Sequence, residues 1–206
     1  MKPIRNLALA ALSFFCATTL HAQPNRPTMT VHDEPLLGER GLSRVLYWNE
    51  LRDSPLGAVS IDFGRPNWNP QLDIPARFDA LTKGNVWRLG NDYWTTLDSN
   101  VPMKIAGRDI PIGLWYLGLH RSADGATWSL AFIDPVKARS ARLDPHAMNL
   151  APVEFRVPLT IEQPSGFAEK LTIVLAADRT NIKNVSLRIT WGKVQLMASA
   201  QILLEN

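Results

Sequence analysis

At 206 residues the chain is long enough to bury one sizeable core, and 46% hydrophobic with 20% charged residues is the balance of a globular domain. Its one cysteine, Cys16, excludes an internal disulfide and a multi-thiolate metal site. The formal net charge of +3 is too small for a protein whose main partner is nucleic acid or an anionic membrane.

The first residues, Met1-Lys2-Pro3-Ile4-Arg5-Asn6, carry two positive charges, and an apolar run from Leu7 to Leu20 follows, closed by His21-Ala22-Gln23. This is the order of a secretory signal peptide, residues 1–22, with cleavage expected after Ala22 and a periplasmic or secreted destination. The run is shorter than the ~20 apolar residues of a membrane span. Phe14 and Phe15 precede Cys16 where a lipid-anchored signal carries small residues, so no anchor is expected. Loss of Lys2 and Arg5 with the signal lowers the net charge from +3 to +1.

Residues 23–56 read as a leader. Pro24, Pro27 and Pro35 break up its first part, and the stretch from Leu36 to Leu51 suits either a short helix or an irregular strand. A β-domain is expected over 57–206. Val59, Ile61 and Phe63 alternate with polar residues, the mark of a half-buried strand. The loop Gly64-Arg65-Pro66-Asn67-Trp68-Asn69-Pro70 interrupts it, and a short helix is expected over 76–81. The stretch 85–96 joins two strand-like pieces, Val86 to Leu89 and Tyr93 to Leu97, through Gly90-Asn91-Asp92. Val101, Met103 and Ile105 alternate next, and Ala106-Gly107 is a tight turn. Trp115, Leu117 and Leu119 then share one face, and Ala123-Asp124-Gly125 is a hairpin signal leading to Trp128, Leu130 and Phe132. A second short helix fits 136–141. Four strands complete the chain, through Val153–Ile161, Leu171–Leu175, Val185–Trp191 and Val194–Ile202. Pro158 marks an edge or a bulge in the first of them. Nine to ten short strands with one or two short helices define an all-β chain, an antiparallel β-sandwich of jelly-roll-like or related form. Trp87, Trp115, Trp128 and Trp191 fall on core faces.

Chemistry-bearing motifs are few. His32, His120 and His146 are far apart in sequence, with no His-x-His or His-Glu-x-x-His, so no metal is expected. There is no Gly-x-Ser-x-Gly elbow and no phosphate-cradling Gly-rich loop, so no catalytic residue or cofactor is assigned. Asp62, Asp92 and Asp98 are the acids near the central stretch, and a carboxylate pair for hydrolysis stays open as the alternative. Five residues are the candidate ligand-binding set. Arg65 and Arg88 carry guanidinium forks suited to carboxylates. Trp68, between two asparagines, either stacks on a sugar or covers the sheet's end. Asn91 and Asp92 form the turn, Asn91 in the left-handed conformation, and Asp92 is the nearest acid for Arg88. The expected function is a non-catalytic binding module for a small molecule, a glycan or an envelope protein. A periplasmic hydrolase is the competing reading.

Gly64-Arg65-Pro66, then Val86-Trp87-Arg88-Leu89-Gly90-Asn91-Asp92-Tyr93-Trp94-Thr95, then Ala106-Gly107-Arg108-Asp109-Ile110-Pro111-Ile112-Gly113-Leu114-Trp115-Tyr116 and Thr127-Trp128-Ser129 together resemble an exported bacterial family known as domain of unknown function 2911. Order and spacing match over residues 57–202. The chain departs from the family pattern at Tyr93, where the family carries an acid, with Asp92 one residue earlier. The resemblance implies export and a β-rich domain, and it implies no activity.

Overall fold

The computed structural model describes residues 38–204. The segment read as a signal peptide, with Cys16, and His32 in the leader, lie outside the described residues. The chain is all-β and antiparallel. Its first strands, β1 (Arg40–Asn49) and β2 (Ser54–Gly64), form a hairpin. β1 settles the stretch read as helix or irregular strand: it is a strand, with a register shift between Tyr47 and Trp48. It belongs to the same compact unit as all later strands, so the β-structure starts upstream of residue 57.

The 3-10 turn Pro70–Asp73 and helix α1 (Pro75–Thr82) follow β2. Pro70 and Pro75 each take the first helical position, where the missing N–H costs nothing. Next come β3 (Val86–Arg88), β4 (Thr95–Ser99), β5 (Met103–Ile105) and β6 (Arg108–Ile110). The turn between β5 and β6 is Ala106-Gly107, both with positive φ (47° and 80°), as a two-residue hairpin turn requires. The long hairpin β7 (Gly113–Arg121) and β8 (Trp128–Ile133) turns at Ser122–Thr127. Helix α2 (Pro135–Ser140), capped by the Asp134 carboxylate, and a 3-10 segment, Pro145–Leu150, capped by Asp144, lead to β9 (Val153–Glu162). The chain ends on β10 (Ala168–Ala177), β11 (Asn184–Gly192) and β12 (Val194–Ile202).

The twelve strands among the described residues exceed the nine to ten read from the sequence, because three-residue strands such as β3, β5 and β6 are too short to show a period. The strands follow one path, β1-β2-β4-β7-β8-β9-β12-β11-β10, with β3 on β7 and the β5–β6 hairpin on β12. β9 serves both halves. Val153–Leu159 pair with β8, and Thr160–Glu162 pair with β12. Pro158 sits beside this changeover.

Alternation then builds a single main core. Val59, Ile61, Phe63, Leu97, Leu117, Leu119, Leu130, Phe132 and Val157 of one half pack with Leu171, Ile173, Leu175, Val185, Leu187, Ile189 and Leu196 of the other. Trp128 is buried, as its face assignment requires. Trp87, Trp115 and Trp191 pack against this core as well, as their place on core faces requires, but they are only half-buried. A second, smaller core lies on the other side of β4, β7 and β8. Trp94 stacks on Tyr116 there (4.3 Å between rings, 6° between planes), and Ile133, Ala138 and Met148 close over them. Residues 134–152 thus cover that side of the sheet.

Candidate functional site

β3 is a short strand bonded to β7 alone, with Arg88 opposite Gly118. Strand alternation sends neighbouring side chains to opposite faces. Trp87 accordingly packs against the main core, while Val86 joins the second core with Met148. Arg88 shares the side of Val86 and meets the 3-10 segment. One of its Nη atoms donates to His146 Nε2 at 3.1 Å. Arginine can only donate, so Nε2 accepts, and Nδ1 is the ring nitrogen that carries the hydrogen. That Nδ1–H donates to Asp144 Oδ1 at 2.7 Å, and the His146 backbone N–H reaches the same oxygen at 2.9 Å. Burial works against the ionised form of Asp144. The His146 backbone bond, its ring and the Arg88 charge outweigh this and hold the carboxyl below its usual range.

The result is a line of three side chains, Arg88–His146–Asp144, of which Arg88 and His146 line an open cleft of about 390 Å³ and Asp144 holds the His146 ring. Asn85, Trp87 and Asn149 also line it. Among the described residues no carboxylate lies within ion-pair distance of Arg88. The cleft therefore presents a guanidinium whose direct partner is a ring nitrogen rather than a carboxylate, flanked by amides that both donate and accept.

The structure does not pair Arg88 with Asp92, nor with a strand carbonyl. Asp92 instead accepts from Asn91 Nδ2 at 2.9 Å, and the left-handed residue of the turn is Asp92 (φ 63°), not Asn91. The turn has a packing role. A Cβ at Gly64 would stand 2.3 Å from the Asn91 carbonyl oxygen, so the end of β2 and the turn meet backbone to backbone. Arg40 covers this region, donating from Nε to Asp62 Oδ1 at 2.7 Å and from an Nη to the Trp94 carbonyl at 3.2 Å.

Arg65 has a separate partner. Its guanidinium bonds Glu39, which Lys170 also bonds, and its Nε donates to the Leu171 carbonyl at 3.3 Å. The Lys170 bond, opposed by a smaller burial effect and aided by the Arg65 and Lys170 charges, holds the Glu39 carboxyl below its usual range. This trio ties β1 and β2 to β10. Trp68 is buried, 9% exposed, with its ring 5.0 Å from Trp191 edge-on and 6.2 Å from Phe78 and from Phe167. It covers the sheet's end. Of the five candidates, Arg88 alone lines the cleft just described.

Sequence reasoning missed His146 and Asp144 as partners of Arg88. Asp144-Pro145-His146 does carry a local signal, an acid one residue before a proline that starts a 3-10 segment. It also missed Arg121, which bonds Asp79 at 2.6 Å and lies 5.4 Å from the rings of Phe78 and of Trp128. Among the described residues no three His, Cys, Asp or Glu side chains converge on one point, and no helix is long and apolar enough to cross a membrane.

Fold and cleft together define an antiparallel all-β domain with a polar, cation-bearing cleft beside a short edge strand. The chain belongs to the family described as Protein of unknown function (DUF2911), whose pattern matches residues 52–199. No match was found among curated proteins or among solved structures.

Proposed function

We propose that the protein is an exported, non-catalytic binding module, and that the cleft between β3 and residues 145–150 takes a small molecule bearing a carboxylate or phosphate group. One observation carries the reading: Arg88 lines a concave surface without a carboxylate partner, held in place by the His146–Asp144 relay. A cation placed this way keeps its attraction for an anion, and a planar guanidinium suits a two-oxygen group. Asn85 and Asn149 supply the neutral hydrogen bonds that fix a ligand's orientation. Of the acids that a hydrolase would need, Asp62 is bonded by Arg40 and Asp92 by Asn91, which favours binding over the carboxylate-based alternative.

A thermal-shift panel of small carboxylates and phosphates tests the site, because a ligand of the folded state raises its melting temperature by mass action. The expected result is a rise with at least one anion that disappears in Arg88→Ala. A rise of equal size in the variant, or none with any anion, refutes the assignment. Export rests on the charged, apolar, small-residue order of residues 1–22. N-terminal sequencing of the exported protein should begin at or near Gln23, and an intact Met1 would count against it.

A further inference from the structure

The end of the molecule under α1 holds a chamber that the Arg88 cleft does not use. Four of the seven tryptophans meet there with two phenylalanines. Trp68 lies 5.0 Å from Trp191, Trp87 lies 5.8 Å from Trp191, and Phe78 of α1 bridges Trp68 and Trp128 at 6.2 Å to each. Behind Phe78 is a void of about 10 Å³, the space of about one water molecule, lined by Trp87, Leu119, Trp128, Ile189, Trp191 and Leu196 among others. In front of it is an open cleft of about 400 Å³ with Trp68 and Arg121 on its walls. Phe78 and Val194 border both spaces.

Two further observations point to a ligand. The indole N–H groups of Trp68 and Trp87 are buried without an acceptor. Such orphans cost about 1–3 kcal/mol each, and a native fold keeps few of them without a reason. The rim charges are also already matched: Lys193 bonds Asp73 at 2.8 Å, and Arg121 bonds Asp79 at 2.6 Å. A guest here needs no net charge. What the walls ask for is apolar surface and one hydrogen-bond acceptor.

We infer that Phe78 is a gate between the outer cleft and the inner void, and that the joined space binds an uncharged, ring-sized apolar molecule through an acceptor oxygen offered to an indole N–H. The joined volume, above 400 Å³, falls in the range of ordinary small-molecule pockets. Movement of Phe78 is cheap by comparison with a core side chain. α1 has eight residues, no side-chain cap at its N-terminus, and only Thr82 fully buried. The Asp79–Arg121 pair and the Thr82 hydroxyl, both bonded by Arg121, anchor the helix while the ring turns. The site is independent of the anion cleft, although Trp87 borders both.

The test is an NMR titration of the full chain with acetophenone, following the seven indole N–H signals, with Trp68→Phe and Trp87→Phe used to assign two of them. The expected result is a selective shift of the Trp68 or Trp87 signal. Ethylbenzene, the same shape without the oxygen, should bind about tenfold more weakly, since it leaves the donor unpaired. Phe78→Ala removes the gate and should tighten acetophenone binding about tenfold, by raising the fraction of open protein. Arg88→Ala should leave the titration unchanged, so this test and that of the anion cleft fail separately. No selective shift at saturating acetophenone, or equal affinity for the two probes, overturns the inference. If Phe78→Ala does not fold, the wild-type comparison of the two probes decides alone.

Discussion

His120 shows how a single residue couples this fold to pH. It lies on β7 opposite Ser129 of β8, with Nδ1 3.3 Å from the Ser129 hydroxyl oxygen, and it is half-buried. Burial, with the positive charge of Arg156 as a second cause, pushes its imidazole below the usual value of 6.5. The unfolded chain then binds a proton more readily than the folded one in the window just below 6.5. The stabilisation from neutral His120 is complete above that value and is lost as pH falls through the folded-state pKa. Denaturant melts between pH 8 and pH 5 should show the wild type losing stability below about pH 6.5. His120→Gln should flatten that part of the profile, and an unchanged slope would show that the group titrates alike in both states. Arg88 and Arg65 show what a sequence withholds at this scale. Both stood out as cations near a turn, but their partners lie 58 residues downstream and 26 residues upstream, beyond any local pattern.

Whole elements were legible where one face is buried and the other wet. β2, β10, β11 and β12 each keep a period-two pattern of burial, and the hairpin turns after β5 and β7 carry the residues their backbones need. β1 was not legible, for a physical reason. Its outward side chains include Leu42, Leu46 and Trp48, while Ser43 faces inward, so the usual contrast is reversed. Trp94 likewise gave no warning of the second core, because the cover comes from residues 134–152, far along the chain. The same logic ranks the tryptophans. Trp128 on β8 is 5% exposed and touches Phe78 and the main core. Trp128→Ala should cost on the order of 3–5 kcal/mol in denaturant melts. Trp115, half-buried on β7, should cost less when replaced by Ala. Equal losses would mean that burial at these two strand positions does not set their contribution.

At the scale of the molecule the decisive contact joins strands at the two ends of the path. β1 and β10 terminate the sheet on opposite sides, yet they meet through side chains rather than a ladder. The Leu175 N–H donates to Ser43 Oγ at 2.8 Å, and Tyr47 donates its hydroxyl to the Ile182 carbonyl at 2.7 Å. Beyond the end of β2, the backbone takes over, with Trp68 N–H bonded to the Glu169 carbonyl at 2.6 Å and Leu171 N–H to the Pro66 carbonyl at 3.0 Å. Exposed strand edges invite pairing with other chains, and this seam occupies the Glu169, Leu171 and Leu175 backbone groups of β10 internally. Ser43→Ala removes the acceptor and leaves the Leu175 N–H orphaned beside the main core, a loss of about 1–3 kcal/mol. The loss should be local before it is global. In native-state hydrogen exchange the Leu175 amide should speed up more than amides of the central strands β7 and β8, which have neighbours on both sides. If all three strands accelerate together, the seam is not a separate opening unit, and closure of the sheet is as cooperative as its core.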